Sequence, residues 1–312
     1  MFRIGIVGTG LIAGGHAKAI AAMSGECTLA AVADIDGEKA KAFGERFSAP
    51  YYTDYKKMAD EVELDAVILN LPHFLHCEAS VYFLERGINV LVEKPMANTV
   101  AECDKMIEAA KKSSAKLAVG HVQRYYESVQ KLKEIVETER FGKLCMIREV
   151  RNTNYTNERR PKWFLSKKLA GGGITMNFGA HSLDRLFYAT GLSVEKVHSV
   201  ISNPVSGDDV DTVAQIFLEL SGGVCQTITL CGAHVPNEYE TAYYFTDGVV
   251  KIVNGSELVI YEDGEWVSHG GGEELMLPQI VEFIKLLKGE PNEMATPEYS
   301  REIVRVIEKI VN

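Results

Sequence analysis

Apolar runs alternate with helix-compatible segments over the first 120 residues. FRIGIV (2–7), TLAAVA (28–33), DAVILNL (65–71), INVLVE (88–93) and KLAVG (116–120) read as strands. The uninterrupted apolar character of INVLVE is the mark of a strand covered on both faces. Helical segments fall at 13–23, 37–47, 73–86 and 99–114, with a short strand at 51–52 and a brief helix from 54. Thr99, with Glu102 three residues later, has the arrangement of a capping box. Repeated strand–helix units of this length predict a doubly wound parallel sheet, with ligand at the carboxyl ends of its strands.

After Gly120 the rhythm changes. A helix is predicted over 125–137, then a strand over 143–154, the irregular polar stretch NERRPKWFLSKK, and a glycine triplet (171–173) opening another helix. Beyond Gly191, VAQIFLEL and VCQTITL are joined by Ser221-Gly222-Gly223, and Asp247-Gly248 marks a second hairpin. Consecutive hairpins predict an antiparallel sheet with two unlike faces. Helices resume over 273–288 and from 297 to the end. The chain therefore reads as two domains, 1–121 and 122–312.

Composition narrows the classes. The 312 residues are 46% hydrophobic, enough for a real core, and the net charge is −10. An acidic chain without a basic, aromatic-interleaved stretch argues against nucleic acid and anionic membranes as partners. No run approaches the ~20 apolar residues that span a bilayer. The first strand begins at residue 2 and runs directly into a glycine turn, without the longer apolar run and cleavage site of a signal peptide, so secretion is not expected. Six scattered cysteines without a C-x-x-C pair are expected to be reduced thiols in a cytoplasmic protein, with no metal site.

Candidate chemistry starts at Gly8, Gly10 and Ala13, a G-x-G-x-x-A where a strand hands over to a helix. The first glycine permits a tight turn, the second lets backbone approach a pyrophosphate, and Ala13 keeps the helix close to the sheet. Asp34 ends the second strand about twenty residues further on, where a ribose-binding acid belongs. A plain strand–turn–helix with a solvated acid is the competing reading. Glu93-Lys94-Pro95 closes the INVLV strand, so Lys94 sits at the ligand edge, suited to holding a hydroxyl or to a surface ion pair. In GGGITMNFGAHSLD, Asn177 and His181 are four apart and Asp184 lies one turn on, so a helix puts all three on one face. Histidine suits taking a proton from an alcohol, and it equally suits a buried backbone contact.

Together these stretches resemble the glucose–fructose oxidoreductase / inositol dehydrogenase family (Gfo/Idh/MocA). The resemblance runs through GIVGTGLIAGGH, Asp34, LPHFLH, EKP, GHVQRY, the tryptophan of RRPKWF, and GGGITMNFGAH. It implies an α/β fold, with an N-terminal Rossmann domain and a C-terminal α+β domain on a large, mostly antiparallel sheet. It also implies NAD or NADP, sugar- or cyclitol-like substrates, and a homodimer or homotetramer built through the C-terminal sheet. By position, Lys94 and His181 look like the family's catalytic pair, with Asn177 beside them. Gly8, Gly10, Leu11, Ile12, Asp34, Leu71, Pro72, His76, Glu93, Lys94, Gln123 and Trp163 match cofactor positions. Lys94, Arg124, Asn177, His181 and Asp184 match or border substrate positions.

Two departures stand out. Asn177 replaces the usual aspartate and His73 the usual asparagine. Asn177 cannot supply negative charge to His181, so Asp184, three residues beyond, is the expected substitute. His73 and His76 are three apart, suited to backbone or cofactor contacts more than to a metal. The charge of Asp34 repels the 2′-phosphate of NADP, and with Ile35 next and no arginine before Arg46, NAD is expected over NADP. Arg148, Arg151, Arg159, Arg160, Lys162, Lys167 and Lys168 form a basic strip, either solvated or facing an acidic group on the sugar. The expected activity is NAD-dependent oxidation or reduction at a secondary alcohol or ketone. The alternatives are a lyase or hydrolase using transient oxidation without net redox, and a silent NAD-binding sensor.

Overall fold

In the computed structural model, described over residues 1–156, 160–205, 207–271 and 275–311, the chain divides into two compact units. One is Met1–His121 with Met276–Arg301, and the other is Val122–Leu275 with Glu302–Asn312.

The first unit is built on β1 (Phe2–Val7), β2 (Cys27–Ala33), β3 (Tyr51–Tyr52), β4 (Ala66–Leu69), β5 (Asn89–Glu93) and β6 (Leu117–Gly120). They form one sheet in the order β3-β2-β1-β4-β5-β6, every pair parallel. The connecting helices are α1 (Ala13–Ala22), α2 (Gly37–Phe47), α3 (Tyr55–Glu61), α4 (His73–Leu84) and α5 (Val100–Ser113). Helices between parallel strands bury both sheet faces, which is why Ile4, Ile6, Val67, Ile68, Leu91 and Val92 are inaccessible. The capping box at Thr99 forms: Glu102 N donates to Thr99 Oγ1 at 3.2 Å and Thr99 N to Glu102 Oε2 at 3.1 Å. Strand order reverses between β1 and β4, so the loops after these two strands flank the switch point.

The second unit begins with a 3₁₀ turn (Val122–Tyr125), then α6 (Glu127–Glu137), β7 (Leu144–Asn152), a 3₁₀ turn (Lys162–Leu165) and α7 (Lys167–Ala170). A π-helical turn (Thr175–Gly179) leads into α8 (Ala180–Thr190). The strands β8 (Val194–Ser202), β9 (Val213–Leu220), β10 (Cys225–Cys231), β11 (Glu238–Phe245), β12 (Val249–Val253), β13 (Glu257–Glu262) and β14 (Glu265–Ser268) follow. The sheet order is β14-β13-β12-β11-β7-β10-β9-β8, antiparallel except where β7 and β10 run parallel. β9 and β10 are the hairpin expected at Ser221-Gly222-Gly223, and β11 and β12 the one expected at Asp247-Gly248.

The sequence assigns all of 122–312 to the second domain, and the structure corrects this. α9 (Met276–Lys288) and the start of α10 (Pro297–Val311) belong to the first unit. A Cβ on Gly15 of α1 would stand 2.9 Å from Met276 Cγ, Lys288 Nζ lies 2.8 Å from Glu26 Oε2, and Ala295 bridges to Val119. Periodicity shows that α9 has an apolar face (Ile280, Phe283, Ile284) but not which sheet it covers. Glu273, the expected start of that helix, lies outside the described residues.

Candidate functional site

The turn after β1 needs its first glycine. Gly8 has φ +88°, and a Cβ there would stand 2.4 Å from Asn70 O, so a side chain is excluded by both strain and collision. Gly10 faces open space, no side chain caps α1, and Leu11 is fully exposed. An uncapped helix start beside two glycines is suited to a pyrophosphate. Asp34 is held in place from both sides. Its Oδ2 accepts from Thr9 N (2.8 Å) and Thr9 Oγ1 (2.9 Å), and its Oδ1 accepts from Asp36 N (2.9 Å). Oδ2 thus accepts two bonds and Oδ1 only one, so Oδ1 retains a lone pair for a ribose hydroxyl.

At the end of β5, Glu93 is buried with its Oε1 3.2 Å from His16 Nε2, and its Oε2 accepts from Lys94 N at 3.3 Å. Burial pushes the Glu93 carboxyl up, but the His16 hydrogen bond, with the charges of His16 and Lys94, brings it below the ordinary range on balance. The Lys94–Pro95 bond is cis. His76, fully buried on α4, lies between two carbonyls, with Nδ1 2.9 Å from Pro95 O and Nε2 2.8 Å from Leu71 O. It links the loop of Leu71 and Pro72 to the loop of Lys94. Burial lowers its pKa, against the pull of both carbonyls. The His73 and His76 rings are 5.8 Å apart. Among the described residues no group of three His, Cys, Asp or Glu side chains could hold a metal ion.

In the second unit the glycine triplet is anchored by Asp211. Its Oδ1 accepts from Gly173 N (2.7 Å), its Oδ2 from Thr175 N (2.8 Å), and its backbone O from Ile174 N (2.9 Å). A Cβ on Gly173 would fall 1.9 Å from Asp211 O. Gly173 is therefore packed directly against the backbone of Asp211. Asn177 lies in the π turn and His181 in the first turn of α8, so the two belong to different helical geometries within one continuous element. Asn177 is buried against the Tyr155 hydroxyl, whose pKa is driven up chiefly by burial. Asp184 is fully buried, with Oδ1 2.5 Å from Arg124 Nη2. The acid expected to serve His181 is thus engaged with Arg124.

Residues 2–121 match the sequence model of the Gfo/Idh/MocA oxidoreductase family, NAD-binding Rossmann fold, and residues 129–251 match the family's C-terminal domain. The chain belongs to the Gfo/Idh/MocA family. It is 26% identical over 259 residues to a 1-carboxy-3-chloro-3,4-dihydroxycyclohexa-1,5-diene dehydrogenase of Comamonas testosteroni, covering 81% of this chain and 61% of that one. It is 26% identical over 166 residues to a 2,7-anhydro-N-acetylneuraminate hydratase of Mediterraneibacter gnavus, covering 53% and 44%. The chain thus spans about three fifths or less of these relatives' length. Its fold is also that of the WlbA dehydrogenase of Bordetella pertussis, solved with NADH and UDP-GlcNAcA, at TM-score 0.87 and 21% identity over 99% of this chain and 95% of that one.

Within this Gfo/Idh/MocA chain, Trp163 stacks on Phe164 with ring centroids 3.8 Å apart, and Gln123 Oε1 lies 3.5 Å from the Tyr239 hydroxyl. Of the basic strip, Arg148 pairs with Glu240 and Arg160 donates to Tyr155 O, while Arg159 lies outside the described residues. All six cysteines are free. No helix among the described residues is long and apolar enough to cross a membrane. Sequence reasoning missed Asp211, Tyr155 and a charged cluster on β7 and α8. There Glu149 accepts from Ser182 Oγ (2.6 Å) and pairs with Arg185 (3.3 Å), all buried. The only local signal was an acid at alternate positions of a strand, Glu149 between Ile147 and Arg151.

Proposed function

We propose that this chain is an NAD-dependent oxidoreductase acting on a secondary alcohol of a sugar, cyclitol or derivative. The observation that supports it best is the Asp34 carboxylate, oriented by Thr9 and Asp36 at the glycine turn of a chain that matches both family domains. The residues fit NAD: Gly8, Gly10, Leu11 and Ile12 would border the pyrophosphate, and Asp34 the adenosine ribose. Leu71, Pro72, His76, Glu93, Gln123 and Trp163 would border the nicotinamide end. The chemistry supplied by bound NAD is acceptance of a hydride.

The chain's own residues handle the rest. Lys94 holds the reacting hydroxyl and stabilises the negative charge that grows on its oxygen. His181 takes the hydroxyl proton on its imidazole. Asn177 orients substrate by hydrogen bonding in place of the family's aspartate, and Arg124, held by Asp184, borders the substrate. Asp34 selects NAD by repelling a 2′-phosphate. The exposed apolar side chains Phe217, Tyr261 and Trp266 on one face of the second sheet support assembly into a homodimer or homotetramer through that face. The test is NADH formation across a panel of sugars, cyclitols, uronates and sugar phosphates; NAD binding without reduction by any of them refutes the reading.

The hydratase among the relatives favours a second reading. The same residues would oxidise a sugar carbon transiently, permit elimination, and end with no net redox. Product formation without accumulated NADH distinguishes it from the first.

A further inference from the structure

β7 carries Arg148 and Arg151 on opposite faces and α8 carries Arg185, and the three are not equivalent. Arg148 is exposed and paired with Glu240, and Arg185 is buried and paired with Glu149. Arg151 has neither kind of partner: among the described residues no carboxylate lies within ion-pair distance of it, and its Nη1 is buried with no hydrogen bond. Its guanidinium carbon lies 3.6 Å from the centroid of the Phe178 ring and 4.3 Å from that of Tyr239.

The arrangement leaves a charge unanswered. Glu149 is a single carboxylate near two guanidinium groups, those of Arg151 and Arg185, so the cluster has net charge of one positive unit. Removing a cation from water without a counter-charge is costly. Aromatic rings compensate part of that cost but accept no in-plane hydrogen bonds. A guanidinium flanked by rings keeps its edge N–H donors, which lie in the plane that matches a carboxylate or phosphate two-pronged. The position also matters. Phe178 follows Asn177, assigned to the substrate, in the π turn, and Tyr239 lies against Gln123, assigned to the nicotinamide end where the substrate reacts.

We propose that Arg151 is an anion-recognition residue, and that the substrate carries a carboxylate or phosphate beside the ring that is oxidised. This rests on the assignment of the second unit to substrate binding and narrows the substrate to acidic sugars or cyclitols. Among the described basic residues of 148–168, Arg160 also lies over two rings but donates to Tyr155 O, whereas Arg151 is the one with a buried nitrogen that has no hydrogen bond.

The experiment is calorimetric binding to the NAD-loaded protein. The probes are D-glucose and D-galactose, D-glucuronate and D-galacturonate, glucose 6-phosphate, myo-inositol and an inositol monophosphate. An acidic probe is expected to bind ~10–100-fold more tightly than its neutral counterpart, the scale of a charge-assisted pair. The uronate and phosphate arms tell which anion is read. In Arg151→Gln this preference collapses towards one, and in Arg151→Lys it falls to an intermediate value, because the charge remains but the fork is lost. Thermal melts verify folding; Arg151→Gln should melt no lower than the native chain, since it removes an unpaired charge, whereas a purely stacking role predicts a loss. Equal binding of acidic and neutral probes, no binding of any acidic probe, or an unchanged preference in Arg151→Gln overturns the proposal. Turnover of the native chain is read separately. Acidic probes bound through Arg151 without NADH formation would remove the dehydrogenase reading alone. NADH formation from neutral sugars without acidic preference would remove this inference alone.

Discussion

Asp184 and Arg124 form an ion pair in which both side chains are almost wholly inaccessible, Oδ1 standing 2.5 Å from Nη2, with the guanidinium over the Tyr188 ring at 4.7 Å. Such a pair stabilises little as a whole but is costly to break from one side, because the partner left behind is a buried charge. Asp184→Asn should therefore destabilise the fold by about 3–5 kcal/mol in urea unfolding. The double replacement Arg124→Met, Asp184→Leu should recover much of it. The same Asp184→Asn protein tests whether this acid also tunes His181: an unmoved pH profile of turnover excludes that second role.

Lys94→Met should lower turnover by ~10²–10⁴, the scale of a positioned acid–base group, while NAD still binds. Stopped-flow turnover beside fluorescence titration of NADH separates the two quantities. Retained activity would remove Lys94 from the assigned role.

Asp34→Ser should weaken NADH binding by ~10–100-fold, the equivalent of one or two charge-assisted hydrogen bonds. It should leave NADPH binding unchanged or improved, because the repulsive charge is gone. Equal affinity of the native chain for NADH and NADPH would refute selection by Asp34.

The His16–Glu93 contact makes a pH-dependent contribution whose sign is set by the depressed carboxyl. A carboxyl lowered on folding stabilises the native state above its ordinary value of 4.5, and this is lost as pH falls through the depressed value. His16→Gln removes the charge partner and leaves burial dominant, so the loss of stability on acidification should begin at higher pH. Guanidinium unfolding at a series of pH values checks it; superimposable curves would mean that His16 does not hold Glu93 ionised.

Much of the first unit was legible locally. Thr99 and Glu102 are three residues apart, so their reciprocal bonds follow from helix geometry alone. The turn at Gly8 was readable because a strand–glycine–helix sequence has few conformations open to it. Asp34 was readable as the acid at the end of β2, though its support by Thr9, 25 residues earlier, was not. The unlike faces of β9 and β10 followed from alternation, but the parallel pairing of β7 with β10 did not, since nothing local names a strand's neighbour.

What the amino-acid order determined by itself is therefore whatever short-range geometry enforces: the strand–helix rhythm, the glycine turn, the caps and hairpins, and the residue types available for chemistry. Tertiary structure alone decided which charges found partners. Arg124 meets an acid 60 residues away, Gly173 is held by one 38 residues away, and Arg151 meets none among the described residues. It also decided that α9 packs on α1 in the first unit. Electrostatic pairing and packing depend on distance in space, and chain separation constrains that distance only weakly once a fold brings remote segments together.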